Sequence, residues 1–298
     1  ITGCDKISDE CRSCYALTLA GRLKLMGQAK YQNDGDPLTS GPGFAVTCHE
    51  SELDRPLKWR NPQTIFVCSM ADMFHKDVPL EFIQRVWLTM ANTPHHTYQV
   101  LTKRPQRMAK IVNSLCFSHR LPGEVGVGQW NDCYSWPGTW EGEDGGVWDA
   151  DEGELDGGGE EPLENVWLGV SCGMDRYSFR LDHLRATAAA TRFVSLEPLL
   201  EPLPSLDLTG IAWAIIGAES GKDARPMELD WVREIVAKAR EAGTAVFVKQ
   251  LSGGFHAVKD LELFPVDLWI REYREATACA AFRLVGAGGW PVRRCRRA

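Results

Sequence analysis

Six short apolar runs, each closing on polar or charged residues, do most to limit what this chain can fold into. They span Thr64–Cys68, Thr97–Leu101, Asn165–Val170, Thr191–Val194, Ile211–Ile216 and Ala245–Val248. Near-continuous apolar runs of this length are strands covered on both faces, as in a parallel sheet. Between them, residues 12–27, 79–92, 105–115, 176–190 and 229–242 read as helices, with Trp87 and Met90 on a buried side. The alternation predicts an α/β fold, a partial (β/α) TIM-like barrel of parallel strands. In such a barrel the carboxyl ends of the strands share one rim, where chemistry takes place. That rim would carry Ser69 and Asp72, Lys103 and Arg104, Ser171, Glu197, Gly217 and Glu219, and Lys249.

Ahead of the first run lies a cluster of thiols. Cys4, Cys11 and Cys14 are spaced C-x6-C-x2-C, preceded by Thr2-Gly3 and followed by Tyr15. Three sulfurs so close in sequence are a metal-ligand grouping. They would bind zinc if His49 or His75 supplied a fourth ligand, or hold three irons of a four-iron cluster with one iron left open. A strand just before Cys4 would bring this loop to the rim.

The ten cysteines are otherwise scattered, which is not the pattern of a disulfide scaffold and points to a reducing cytoplasm. Cys68 and Cys172 read as buried strand residues. No run of about eighteen apolar residues marks a membrane span, and no signal peptide is visible. The chain opens at Ile1 rather than Met, which leaves room for an upstream segment. Residues 121–175 hold fourteen Asp/Glu and no Lys or Arg; removing them from the net charge of -7 leaves +7. A mildly basic body therefore carries an acidic insertion at 117–164, rich in Trp and Gly, which reads as an excursion or lid. The barrel domain is assigned to 1–273 and a basic tail to 274–298.

The three-cysteine loop followed by a partial barrel resembles the radical S-adenosylmethionine (radical SAM) superfamily. More closely, the chain is similar to a phage- and prophage-associated family of unknown function with an N-terminal three-cysteine motif. The stretches that carry this are Thr2-Gly-Cys4 to Cys14-Tyr15, Ile65 to His75, Gln99 to Pro105, Val166 to Ser171, Leu196 to Leu199, Ile216 to Gly221 with Ala224-Arg-Pro226, and Phe247 to Gln250. The usual superfamily spacing is C-x3-C-x2-C with an aromatic before the last cysteine; here the first gap is six, Ser13 holds that place and Tyr15 follows.

The resemblance implies a [4Fe-4S] cluster on Cys4, Cys11 and Cys14 and S-adenosyl-L-methionine on the open iron, cleaved to methionine and a 5′-deoxyadenosyl radical. It implies cofactor contacts at Tyr15, at Ser69 and Asp72 for the amino group, at Ser171 and Glu197 for the ribose, and at Gly217 and Glu219 near the adenine. Lys103 and His75 are candidate catalytic residues, with Lys103, Arg104 and Lys249 suited to a carboxylate or phosphate. A reductant such as flavodoxin or ferredoxin would supply the electron, and a nucleotide or nucleic-acid base is the suggested substrate. Two other readings remain open: a zinc- or cluster-stabilised binding module without radical chemistry, and a metal-dependent nuclease using Asp72, Glu197 and Glu219.

Overall fold

The computed structural model describes residues 1–114, 162–221, 223–253 and 257–273. All six expected strands are present: β1 (Thr64–Val67), β2 (Thr97–Thr102), β3 (Val166–Ser171), β4 (Thr191–Leu196), β5 (Trp213–Gly217) and β6 (Ala245–Ser252). They lie side by side in sequence order and every neighbouring pair among them is parallel. A chain that always steps to the next position in one direction is singly wound. Right-handed crossovers then gather the helices on one face, and the sheet curls about the other. The result is a seven-stranded, mostly parallel, curled half-barrel. Its seventh strand, β7 (Ala257–Val258), pairs antiparallel with β6 and is too short to show as an apolar run.

The helices are α1 (Tyr15–Leu25), α2 (Leu80–Ala91), α3 (Pro105–Ser114), α4 (Arg180–Arg185) and α5 (Leu229–Ala242). α5 buries Val232, Ile235, Val236 and Ala239, the i, i+3, i+4, i+7 stripe of a helix laid on a sheet. α2 buries Phe82, Ile83, Trp87 and Met90, so the two residues expected in the core are there. These stripes meet alternate strand residues, including Val100, Leu168, Val170, Val194, Ile216 and Val248, in the main core. The other strand face carries a second cluster of Trp167, Phe193 and Trp213, with Leu101, Ile215 and Phe247 against it.

Several expectations are corrected. The helix read over 176–190 is a short turn at Asp175–Tyr177 followed by α4. Its end is fixed from outside. Arg192 donates to the carbonyls of Leu184 (3.1 Å) and Thr187 (2.8 Å), and Asn113 donates to Ala186 O (2.9 Å). Carbonyls left over at a helix end are satisfied here by side chains from outside the helix. Residues 198–212 link β4 to β5 without a helix. Residues 44–47 form no strand of their own; Thr47 alone pairs, in a bridge to Thr2. Cys68 and Cys172 each sit one residue past a strand end, and only Cys172 is fully buried. Residues 117–161 of the insertion and the tail 274–298 lie outside the described residues. The described flanks of the insertion are the end of α3 and the start of β3. Both of these flanks lie at the amino ends of the strands, opposite the rim. Among the described residues no helix is long and apolar enough to cross a membrane.

Candidate functional site at the rim

The cysteine loop is pinned to the carboxyl end of β1. Gly3 N donates to Met70 O at 2.9 Å, and Gly3 bridges in parallel to Ala71. Its φ is +90°, and a Cβ there would stand 2.1 Å from Ala45 O, so only glycine delivers Cys4 to this edge. Cys14 leads directly into α1. The first residue of that helix, Tyr15, donates its hydroxyl to Ser69 O at 2.5 Å. The side chains of Cys4 and Cys14 pack with Leu17, Tyr31 and Met70 on a small core of Ala16, Ala20 and Phe44.

The six residues between Cys4 and Cys11 hold the loop over the sheet. Asp5 accepts from Thr39 Oγ1 and His75 Nε2, each at 2.9 Å. Glu10 is 4% exposed. Its carboxylate accepts from Arg180 Nη1 (2.6 Å), Ser8 Oγ (2.9 Å) and the backbone N–H of Gly173, just beyond β3. The loop is thus tied to the ends of β1 and β3.

The rim residues form a chain of contacts along the strand ends. Asp72 is 6% exposed. It accepts from Thr102 Oγ1 (2.7 Å), Phe74 N (3.0 Å), Lys103 N (3.3 Å) and Arg104 Nη1 (2.9 Å). Arg104 also donates to Cys4 Sγ at 3.3 Å and to Asp5 O at 3.3 Å. Lys103 Nζ donates to Ser171 Oγ at 2.9 Å. Glu197 Oε2 pairs with Lys249 at 3.1 Å, and its Oε1 lies where a Cβ on Gly217 would stand 2.2 Å away. Gly217 is thus the residue that admits the Glu197 carboxylate. Glu219 accepts from Arg225 Nε at 2.9 Å and Nη2 at 2.5 Å. Burial pushes Glu219 up, but the Arg225 guanidinium and backbone N–H outweigh it and hold the carboxyl below its ordinary range. Ser69 is exposed on the same edge.

His75 does not face Asp72. Its Nε2 meets Asp5, and its Nδ1 accepts from Asp77 N at 3.2 Å, which fixes the Nε2–H tautomer. Burial first, and then the nearby Arg104, push its pKa down, so the ring is neutral at pH 7. His49, the other proposed zinc ligand, meets Thr2 Oγ1 at 2.9 Å. The three nuclease candidates each face a cation of their own: Asp72 has Arg104, Glu197 has Lys249 and Glu219 has Arg225. Sequence reading missed Asp5, Glu10, Arg180 and Arg225. Acids inside the unusual six-residue gap were the available signal, because an acid in a metal-binding loop needs a partner elsewhere.

Three thiols are a donor set that a zinc ion with one further ligand, or a four-iron cluster, could draw on. A tetrahedral zinc with Zn–S of about 2.3 Å needs its sulfurs about 3.8 Å apart. Among the described residues, Asp5, His75 and Asp77 bring ligand atoms within 4.8 Å of one another, and the three sulfurs form no such group. All three thiols are free and half-buried. Burial raises the Cys4 thiol to about 11 against the pull of Arg104, so it is protonated at neutral pH and must lose its proton to bind metal. Below that pKa, each pH unit gives about tenfold more thiolate. Iodoacetamide labelling of Cys4 in the metal-free chain, followed by peptide mass spectrometry, is expected to accelerate about tenfold per unit from about pH 7 to 9. A plateau near pH 8 would contradict the buried-thiol account.

Searches of curated proteins and of solved structures gave no match. A family model described as "Protein of unknown function (DUF5131)" matches residues 1–284, which takes in the cysteine loop, the half-barrel and every rim residue above. The chain belongs to this DUF5131 family.

Proposed function

We propose that this chain is an iron–sulfur enzyme of radical SAM type, acting on a substrate that a nucleotide or nucleic-acid base would fit. The reading rests on one observation: a loop with three free thiols is fastened across the carboxyl ends of a curled parallel half-barrel. Cys4, Cys11 and Cys14 would hold three irons. When bound, the cluster and S-adenosylmethionine supply the one-electron cleavage of a sulfonium. The chain's own residues bind and orient. Arg104 donates to the Cys4 sulfur and spreads the negative charge gathered there. Gly3, Asp5, Glu10 and Tyr15 fix the loop. The exposed Ser69 stands on the edge a nucleoside would approach, while the side of Gly217 expected to meet the adenine is taken by the Glu197 carboxylate. An acidic electron carrier such as flavodoxin or ferredoxin would suit the basic body, and a reducing cytoplasm would keep the thiols free.

The test is product analysis after anaerobic iron and sulfide loading. Dithionite and S-adenosylmethionine should give 5′-deoxyadenosine by liquid chromatography, and Cys11→Ala should give none. Iron-loaded, reduced chain that leaves S-adenosylmethionine intact would sink the proposal.

A further inference from the structure

Most carboxylates of the rim and loop have a cation: Asp72 faces Arg104, Glu197 faces Lys249, Glu219 faces Arg225 and Glu10 faces Arg180, while Asp5 meets the neutral His75. Among the described strand-end cations of the rim, Lys103 is the one with no carboxylate. Lys103 stands at the end of β2, half-buried, and its ammonium donates to Ser171 Oγ at 2.9 Å. Ser171 gives its single hydrogen to Glu197 O at 3.2 Å, which leaves its lone pairs for Lys103. A hydroxyl relayed to a backbone carbonyl orients an ammonium without neutralising it. Among the described residues no carboxylate lies within ion-pair distance of Lys103 Nζ. Two of its three N–H donors have no acceptor there. α3 begins two residues later at Pro105, so its positive amino end adds to the potential at the same edge.

A half-buried, uncompensated charge is costly unless something neutralises it. Arg104 cannot share the task of binding a ligand, because Asp72, Cys4 and Asp5 already occupy it. Lys249 is exposed and engaged with Glu197. We infer that Lys103 is the binding point for an oxyanion, phosphate or carboxylate, on the molecule this rim accepts, with Ser171 holding the ammonium in place. That Lys103 has no carboxylate partner does not depend on the metal the loop takes; the adenosine-bearing probes named next rest on the proposed function.

Calorimetric titration of the full chain, with and without anaerobic iron loading, compares two pairs of probes. Adenosine 5′-monophosphate against adenosine reports a phosphate source. S-adenosylhomocysteine against 5′-methylthioadenosine reports a carboxylate source. In at least one pair the anionic member should bind about ten- to hundredfold tighter. Lys103→Met should erase that advantage, and Lys103→Arg should keep most of it. Inorganic phosphate, followed by ³¹P line broadening, tests the charge alone: broadening should appear with the native chain and vanish with Lys103→Met. A thermal melt checks that the variant is folded. No discrimination in either pair together with no phosphate broadening, or discrimination that survives Lys103→Met, overturns the inference. Loss of radical activity with this discrimination intact would count against the proposed function and not against the anion site.

Discussion

Replacing Arg180 by methionine is expected to lower the unfolding free energy by about 3–5 kcal/mol, the cost of stranding one half of a buried ion pair. The Arg180 and Glu10 side chains are 3% and 0% exposed, so water cannot replace the lost partner. Arg180 also donates to Ser171 O at 2.7 Å and stacks 4.1 Å over the Tyr177 ring. Without it, Glu10 keeps Gly173 N and Ser8 Oγ but no counter-charge. The melting midpoint should fall by about 10 °C for a chain of this size. Adding Glu10→Met should recover much of the loss, because the stranded charge goes with it. The same single variant should loosen the loop between Cys4 and Cys11 and raise its amide hydrogen exchange. A stability loss under about 1 kcal/mol, the range of exposed ion pairs, would mean that Glu10 is not what clamps the loop.

Asp72→Ala should be nearly as damaging, for a different reason. One carboxylate organises the turn after β1, the end of β2 and the guanidinium beside the Cys4 sulfur. Its removal leaves four donors short of an acceptor and Arg104, with a side chain 14% exposed, without its counter-charge. The expected loss is about 3–5 kcal/mol. Metal uptake should weaken as well, since partners that orient a ligand are worth about ten- to a hundredfold in affinity. Chemical denaturation and iron titration read the two effects separately. Native-like stability in Asp72→Ala would show that Arg104 finds another partner, and would remove it from the account of the loop.

The half-barrel was legible because its strands are apolar on both faces and follow one another in sequence order. Run length gave the strands, and the polar residue after each run gave the rim. Ser69, Asp72, Lys103, Ser171, Glu197, Gly217 and Glu219 all lie at those ends. What could not be read were partners far apart in the chain. Glu10 and Arg180 are 170 residues apart, and Cys4 and Arg104 are 100 apart. No local pattern encodes either pair. The misread helix at 176–190 has in part the same origin, since one of the carbonyls at its end is taken by Asn113, 73 residues away. The unusual first gap of the cysteine motif is explained by contacts of this kind. Its six residues make room for Asp5 and Glu10, which fasten the loop to the ends of β1 and β3.

Metal analysis of the anaerobically reconstituted chain tests the central claim most directly, namely that the rim loop is built for a cluster. The account predicts about four irons and four sulfides per chain, with a spectrum that changes on adding S-adenosylmethionine and is lost in Cys4→Ala, Cys11→Ala and Cys14→Ala. Stoichiometric zinc without sulfide, or iron retained when all three cysteines are replaced, would contradict it.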